Sequence, residues 1–445
     1  MALAQQPSTP PRTQRFVWTI LLAGFGVFLV LCGLGFTGLY WYLYHSTFDL
    51  PIEVRVSRGS VGFIFEDNSE SYELNQRQLD EGNTKIITDS QSQVSTIFYA
   101  KDESSPIIAE VISKKNTSYL LRSATAPRFG WSNQNQEIVL EDFNGKFEVF
   151  IPEESVATIF YIAILPDIEI SLDRPGTYLI SNLGEELDLT VLDGHAFIKK
   201  EHERYLHSIV TGQRARRFVV DDQIVLSVSQ ENLLDKNIMD GNNVSEVPRN
   251  SDNVILPNFG IWNCLDQTAN DPKGQFSITR HLQRSTLRLF RGGNSNSHGE
   301  TLCFFPFGPS GQVGRIIPQY DFLGIRTRFR IEAQSLDVCG VAGSECPLMI
   351  LVDYVDTEGR SNQWFHGFYA NVRQDTTYPF ICSSCQQEHE QVNVNTWYTY
   401  ESGNLFNLLP PDRKPASILN VRVYASGHDY DVYISDFALL GALSE

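Results

Sequence analysis

Hydrophobic and polar positions fall into three regimes along the chain. Residues 16–44, FVWTILLAGFGVFLVLCGLGFTGLYWYLY, carry no charged side chain over 29 positions. A bilayer core takes about 20 apolar residues as helix, so this run predicts a transmembrane helix over 16–44. The preceding residues 1–15, MALAQQPSTPPRTQR, are polar and Pro-rich without apolar periodicity, which predicts a disordered tail. From Pro51 the pattern changes to short alternating runs broken by turn residues: VRVSRGSVGFIF (54–65), TKIITDSQSQVSTIFY (84–99), AEVISKKNTSYLLRSATAPRF (109–129) and GKFEVFIP (145–152). A period of two predicts strands. The expected fold class is therefore mainly β behind one N-terminal helix. A first β region spans 51–225. A linker at 226–254 carries a short helix over Glu231–Met239 and stops at Gly241. A β-sandwich spans 255–445.

Charge and cysteine usage set topology. Arg12 and Arg15 precede the apolar run and no Lys or Arg follows until Arg55. The positive-inside rule then places the N-terminus in the cytoplasm and the chain beyond residue 46 outside the cell membrane. Trp18 falls at the inner interface, and Tyr40, Trp41, Tyr42 and Tyr44 at the outer one. The outer part carries 33 basic against 52 acidic residues, a net charge of −19. That argues against nucleic acid or anionic lipid as main partners. Cys32 lies in the helix. Cys264, Cys303, Cys339, Cys346, Cys382 and Cys385 lie outside, where oxidation predicts disulfides.

Within 54–150, the order R-G-S-V, then E-G-x-x-x-I-I-T-D-x-x-S-x-V, then N-T-S-Y-L-L resembles the extracytoplasmic domain of the ferric-citrate regulator (FecR) family. Gly59, Gly82, Ile87, Thr88, Asp89, Ser92, Asn116 and Thr117 carry the likeness. It implies a FecR-like β-roll or sandwich module outside the membrane. Gly, Asp and Thr are what turns need, so these residues read as structural. A later block, V-L-D-G-H-A-F (191–197) with Gly212, echoes the first, as two copies of one unit or as one larger roll. The family's cytoplasmic anti-sigma segment has no counterpart in 1–15. The closing stretch VRVYASGHDYDVYISDFALL is similar to the last hairpin of galactose-binding-like jelly-roll domains, which implies a jelly roll over about 255–443.

Chemistry-bearing patterns are few. P-loop, GxGxxG, GxSxG and EF-hand signatures are absent from the sequence; Gly308-Pro-Ser310 has the wrong spacing. His202-Glu203 with His207 is one residue too long for a zinc-protease helix. Asp353 with Asp356, and Glu388 with Glu390, form acidic pairs that a residue mix this acidic produces by chance. Cys339, Cys346, Cys382 and Cys385 read as two disulfides beside Cys264–Cys303, with a four-cysteine zinc site as the alternative; His389 reads as a surface loop residue. Asn116 and Asn243 head glycosylation sequons. The aromatic runs around Trp364, His366, Tyr398 and Tyr400 are candidates for stacking on sugars, against the alternative of sandwich core. In Trp-Tyr-Thr-Tyr, Trp397 and Thr399 share one face and Tyr398 and Tyr400 the other. Arg326 and Arg328, alternating with Arg330, are candidates for an anionic ligand, against the alternative of a solvated face with acidic partners. The expected protein is a non-catalytic, cofactor-free, membrane-anchored binding or sensing protein. It meets a glycan or a cell-surface or envelope protein through its C-terminal sandwich; a structural role in an envelope complex is the alternative, and an extracellular hydrolase a further one.

Overall fold

The computed structural model describes residues 12–79, 82–102, 105–132, 134–155, 158–164, 168–200, 205–218, 223–247, 258–308 and 314–443. The tail 1–11, His202, Glu203, Ser310 and the linker end 248–254 lie outside the described residues. The apolar run forms the helix Arg12–His45. Its stretch Phe16–His45 is long and apolar enough to cross a membrane, a property shared with signal sequences, and none of it is buried against the rest of the chain. One residue, Ser46, separates the helix from the strand Thr47–Asp49, which pairs with Thr125–Pro127.

Behind the helix stands a β body of two facing sheets that share one strand. Gln136–Ile151 runs through both. Its first half pairs with Ser118–Pro127 and, in parallel, with Thr158–Ile164. Its second half pairs with Ile107–Ser113 and Gly176–Asn182. The changeover is a register shift between Glu141 and Asn144, with Asp142 at φ 51° and Gly145 at φ 114°. A Cβ at Gly145 would lie 2.6 Å from the Thr117 backbone, so the bend needs glycine there. One core runs from Leu50 to Ala215, which matches a single larger roll rather than two separate copies.

The turn residues around Gly59 and Thr88 do structural work. Gly59 has φ 73°, and its missing Cβ leaves room for the Ser92 hydroxyl. That hydroxyl accepts from Ser60 N (2.8 Å) and donates to Asp89 (2.8 Å). Thr88 Oγ1 donates to Lys114 O (2.7 Å) and accepts from Thr117 N (2.9 Å). Backbone groups at the strand ends are thereby satisfied without water.

The second body is a β-sandwich with its own core, including Trp262, Phe329, Trp364, Phe368 and Val432. One sheet orders Gln275–His281, Arg284–Arg291, Tyr430–Ala442, Phe322–Gln334 and Tyr398–Glu401. The other centres on Trp262–Asp266, Gly299–Pro306, Pro415–Gly427, Leu348–Asp356 and Ser361–Tyr369. One sequence expectation changes here. The expected closing hairpin is an arch: Pro415–Gly427 and Tyr430–Ala442 lie in opposite sheets, each paired on both sides with strands of its own sheet. Leu419 is a bulge between paired Ile418 and Asn420, so Ile418 takes the inward place beside Val421 and Val423.

The linker helix expected over Glu231–Met239 is not formed. Glu231–Asn232 pairs with the strand Tyr430–Ala442. The side chains of Asn232 and Asn237 then accept from the backbone two residues on, at Leu234 and Met239. Such Asx turns compete with helix. Leu233, Leu234 and Ile238 enter the sandwich core, and Trp262 Nε1 donates to Lys236 O (2.8 Å). Burial of these leucines outweighs their helix propensity.

All six outer cysteines are paired: Cys264–Cys303, Cys339–Cys346 and Cys382–Cys385. Cys264 and Cys303 face one another across adjacent strands, 39 residues apart in sequence. The chain-entropy model gives such a loop about 4 kcal/mol, against about 1.5 kcal/mol for the short ring at Cys382–Cys385. Replacing Cys264 and Cys303 by Ala should therefore lower the urea midpoint of the sandwich more than the same change at Cys382 and Cys385; equal shifts would contradict this assignment.

Candidate functional site

The site grows from two acidic residues in otherwise apolar strands. Glu110 sits in IIAEVIS (Ile107–Ser113) and Glu148 in the second half of Gln136–Ile151; both are buried. Strands Gln93–Tyr99 and Ile107–Ser113 are buried on both faces. One face meets the roll's own core. The other meets the sandwich sheet that carries Arg284, Arg328 and Thr399. Arg284 Nη2 donates to Glu110 Oε2 at 2.5 Å. Arg328 pairs with Glu148, and Ser95 Oγ donates to Glu110. Thr399 donates to Glu148 at 3.4 Å. The Arg284 guanidinium also lies 3.5 Å from the Phe150 ring centroid. Ile112, Trp397 and Tyr433 form an apolar cluster across the same contact.

Hydrogen bonds extend the joint at its rim. Ser57 Oγ donates to Trp397 O, Asn393 N to Ser57 O, and Asn393 Nδ2 to Val56 O, each at 2.8 Å. Arg58 reaches Glu390 at 2.6 Å, and Lys114 reaches Glu401. Burial pushes the Glu110 pKa up, but the Arg284 charge and the bonds from Ser95 and Arg284 outweigh it and hold the carboxyl below its ordinary value. Asp436 is likewise held down: burial is opposed by Arg326 and Arg328.

Two cavities flank these ion pairs. One, of about 470 Å³, is lined from the roll by Arg55, Ile97, Tyr99 and Glu110 and from the sandwich by Gln283, Arg330, Asn395 and Trp397. Within it Glu53 holds Arg55 through two bonds of 2.7 and 2.8 Å and accepts from the Tyr99 hydroxyl at 2.8 Å. Burial first, and then that bond to Glu53, keep the phenol well above its ordinary pKa. Arg330 is held by Glu332 at 3.0 Å and by Asn395 O. The other cavity, of about 760 Å³, is more polar and includes Lys114, Lys146, Asp188, Arg214, Arg326, Arg328 and Asp436.

The sequence candidates are distributed differently from expectation. Trp364, His366, Tyr398 and Tyr400 offer no exposed stacking platform. They face the interior of the sandwich, where Trp364 is 1% exposed and His366 stacks on Tyr400 with ring centroids 4.7 Å apart. Burial lowers the His366 pKa against the opposing pull of Glu390. Arg326 and Arg328 do share a strand face, but that face is turned to the roll rather than to solvent. Arg326 pairs with Asp436 at 2.8 Å and Arg328 with Glu148.

His389 is buried rather than on a surface loop: Nδ1 accepts from Gly367 N (3.0 Å) and Nε2 donates to Gly343 O (2.8 Å). Burial, helped by His366 and opposed by the Gly343 bond, brings its pKa down to about 4. Both disulfides, Cys339–Cys346 and Cys382–Cys385, lie against this ring. Their pairing leaves those sulfurs without the thiolate form that the zinc alternative requires. Asp356 is a turn acceptor for Glu358 N and Arg360 N, both at 2.9 Å, and serves the turn rather than an acid pair.

Trp397 was singled out by sequence as part of an aromatic strand; Tyr99, Gln283 and the two buried glutamates were not. The available signal was a lone carboxylate amid apolar strand residues, in AEVI and FEVF, which demands a buried cation from elsewhere.

No family model and no curated protein matches the chain. Among solved structures it is similar to an anti-sigma factor from Parabacteroides distasonis (8% identity, 33% of this chain and 59% of that one, TM-score 0.25). It is also similar to a family 11 carbohydrate-binding module from Clostridium thermocellum bound to a mixed-linked tetrasaccharide (11%, 41% and 91%, TM-score 0.24). A third similar structure is the xylan-binding CBM22-1 domain from Paenibacillus barcinonensis Xyn10C (11%, 41% and 87%, TM-score 0.22). The chain thus spans about three fifths of the anti-sigma-factor structure.

Removing one partner of a buried ion pair strands the other charge and costs about 3–5 kcal/mol. Glu148→Gln should therefore loosen the joint, turning a single urea transition into two. The same joint should weaken in acid. A carboxyl held below its unfolded pKa stabilises above that value, and the contribution is lost as pH falls through the folded-state pKa. Limited proteolysis at 231–247 across a pH series would check this; cleavage independent of pH would count against it.

Proposed function

We propose that the protein is a non-catalytic, membrane-tethered receptor that takes a short stretch of glycan in the 470 Å³ cavity between roll and sandwich. That cavity is the observation supporting the reading. Its volume suits a small ligand. It combines the Trp397 and Tyr99 rings with the hydrogen-bonding groups of Gln283, Asn395, Arg55 and Arg330. Sugars present apolar C–H faces and hydroxyl edges, and rings beside amides and guanidinia complement both. Because both bodies line the cavity, a ligand there would tighten the joint, which supports sensing as well as capture. The helix Arg12–His45 serves as tether, with Arg12 and Arg15 favouring a cytoplasmic N-terminus and an extracytoplasmic body. The FecR-like pattern supports an envelope setting for the roll.

Assembly with other envelope proteins is a second reading, favoured by apolar side chains on two outer strands of the roll. On Leu206–Val210 and Ile224–Val228, the side chains of Leu206, Val225, Leu226 and Val228 are exposed. Exposed apolar patches are sites of protein contact.

A glycan array probed with full-length protein in nanodiscs tests the first reading. Trp397→Ala should weaken the best glycan about tenfold, the loss expected for one ring contact. Gln283→Ala, which leaves the ion pairs intact, should weaken it less. An array without any bound glycan would leave the assembly reading standing.

A further inference from the structure

The loop that follows the strand Ser118–Pro127 is built against the end of the apolar helix. Arg128 N donates to Ser46 O at 2.9 Å, and Ser132 Oγ donates to Tyr44 O at 2.7 Å. The Phe129 ring meets Tyr42 edge-on at 5.8 Å, and Trp131 stacks on Phe129 at 5.0 Å with the planes 8° apart. Trp131 nevertheless stays 59% exposed, and Arg128 is exposed beside it. A stack of three rings thus leads sideways from the helix surface and ends in an open indole. Residues 127–136, PRFGWSNQNQ, contain no acidic residue in a chain of net charge −18.

We propose that Arg128–Trp131 is a second membrane contact, with Phe129 and Trp131 seated in the lipid headgroup layer and Arg128 reaching lipid phosphate. The proposal rests on the reading that the helix spans a bilayer. Three physical points carry it. Tyr40, Trp41, Tyr42 and Tyr44 mark the level at which a spanning helix leaves the hydrocarbon, since Tyr and Trp concentrate at that boundary. Ring contact with Tyr42 holds Phe129 and Trp131 at the same level. An exposed indole with a basic neighbour and no acidic one suits an interface that is apolar on one side and phosphate-rich on the other.

The occupant is lipid rather than a protein groove because the patch is continuous with the helix surface, which is exposed along its length. The helix stretch Phe16–His45, 30 residues, is about 45 Å long, longer than the roughly 30 Å hydrocarbon core. Its last turns therefore stand in the headgroup layer, where the loop joins them.

Single nitroxide labels test this in full-length protein carrying Cys32→Ser, reconstituted in nanodiscs. One label each is placed at Trp131→Cys, at Leu29→Cys in mid-helix and at Lys115→Cys. Lys115 lies in the turn before the ten-residue strand Ser118–Pro127, a strand that by itself spans about 33 Å. Relative accessibility to oxygen over a polar nickel chelate should be high at 29, low at 115 and several-fold above the 115 value at 131. A value at 131 equal to that at 115, with 29 in lipid, overturns the proposal and leaves the spanning helix intact. A water-accessible 29 overturns both. As a readout on the native side chain, brominated-lipid quenching should be smaller in Trp131→Phe than in the unmodified protein; equal quenching would also overturn the proposal.

Discussion

Two carboxylates set the arrangement of this protein. Glu110 and Glu148 stand on the roll face turned to the sandwich, and both are buried. A buried carboxylate costs several kcal/mol unless a cation and hydrogen bonds answer it. Within the described part of the roll, the cations that answer these two come from the sandwich, as Arg284 and Arg328. The two bodies are therefore chemically incomplete apart. Isolated, the roll would expose two acids beside Ile97 and Ile112, and the sandwich a face of arginines around Trp397. Hydrophobic burial alone would let the sheets slide over one another; paired charges fix their register, since displacement by one strand spacing leaves four charges unanswered.

The sandwich's arginine-bearing sheet face is consequently spent on an intramolecular contact. What remains for a ligand is the space the joint does not fill, and this changes the character of recognition. A site on one rigid sheet is always ready. The proposed site, with walls on two bodies, depends on how those bodies are set, so ligand affinity and joint stability would be linked quantities. The cations lining the cavities are largely claimed already, Arg55 by Glu53 and Arg326 by Asp436, which favours ligands that read as hydroxyl-rich rather than as strongly charged.

The fold was readable in the sequence wherever one element decides its own structure. The helix, the alternating strands and the turn at Gly59 all follow from local pattern, and so does the division of Trp397 and Thr399 from Tyr398 and Tyr400. Reading failed where a distant partner decides. The segment from Leu233 to Met239 has helix-compatible composition, but its leucines are taken by the sandwich core, beside the distant strand Tyr430–Ala442. The aromatic strand Trp364–Tyr369 carries the residues of a platform, and only the opposite sheet shows that they face inward. Arg326 and Arg328 were correctly placed on one face, while the nature of that face depended on two glutamates more than 170 residues upstream. Pattern reports which side a residue takes, not what stands on that side.

The short connection at Ser46 has a consequence for where this molecule can look. A head on a flexible linker sweeps a hemisphere, and its reach grows with the square root of linker length. Here the helix is followed almost at once by a strand already locked into a sheet, so with the helix in a bilayer the head has no slack. Its search is planar, by drift and rotation of the whole molecule, and the cavity between the bodies keeps one altitude above the lipid. If the cavity takes a ligand as proposed, ligands presented at that altitude would be met repeatedly, and those held higher or lower would not be met at all.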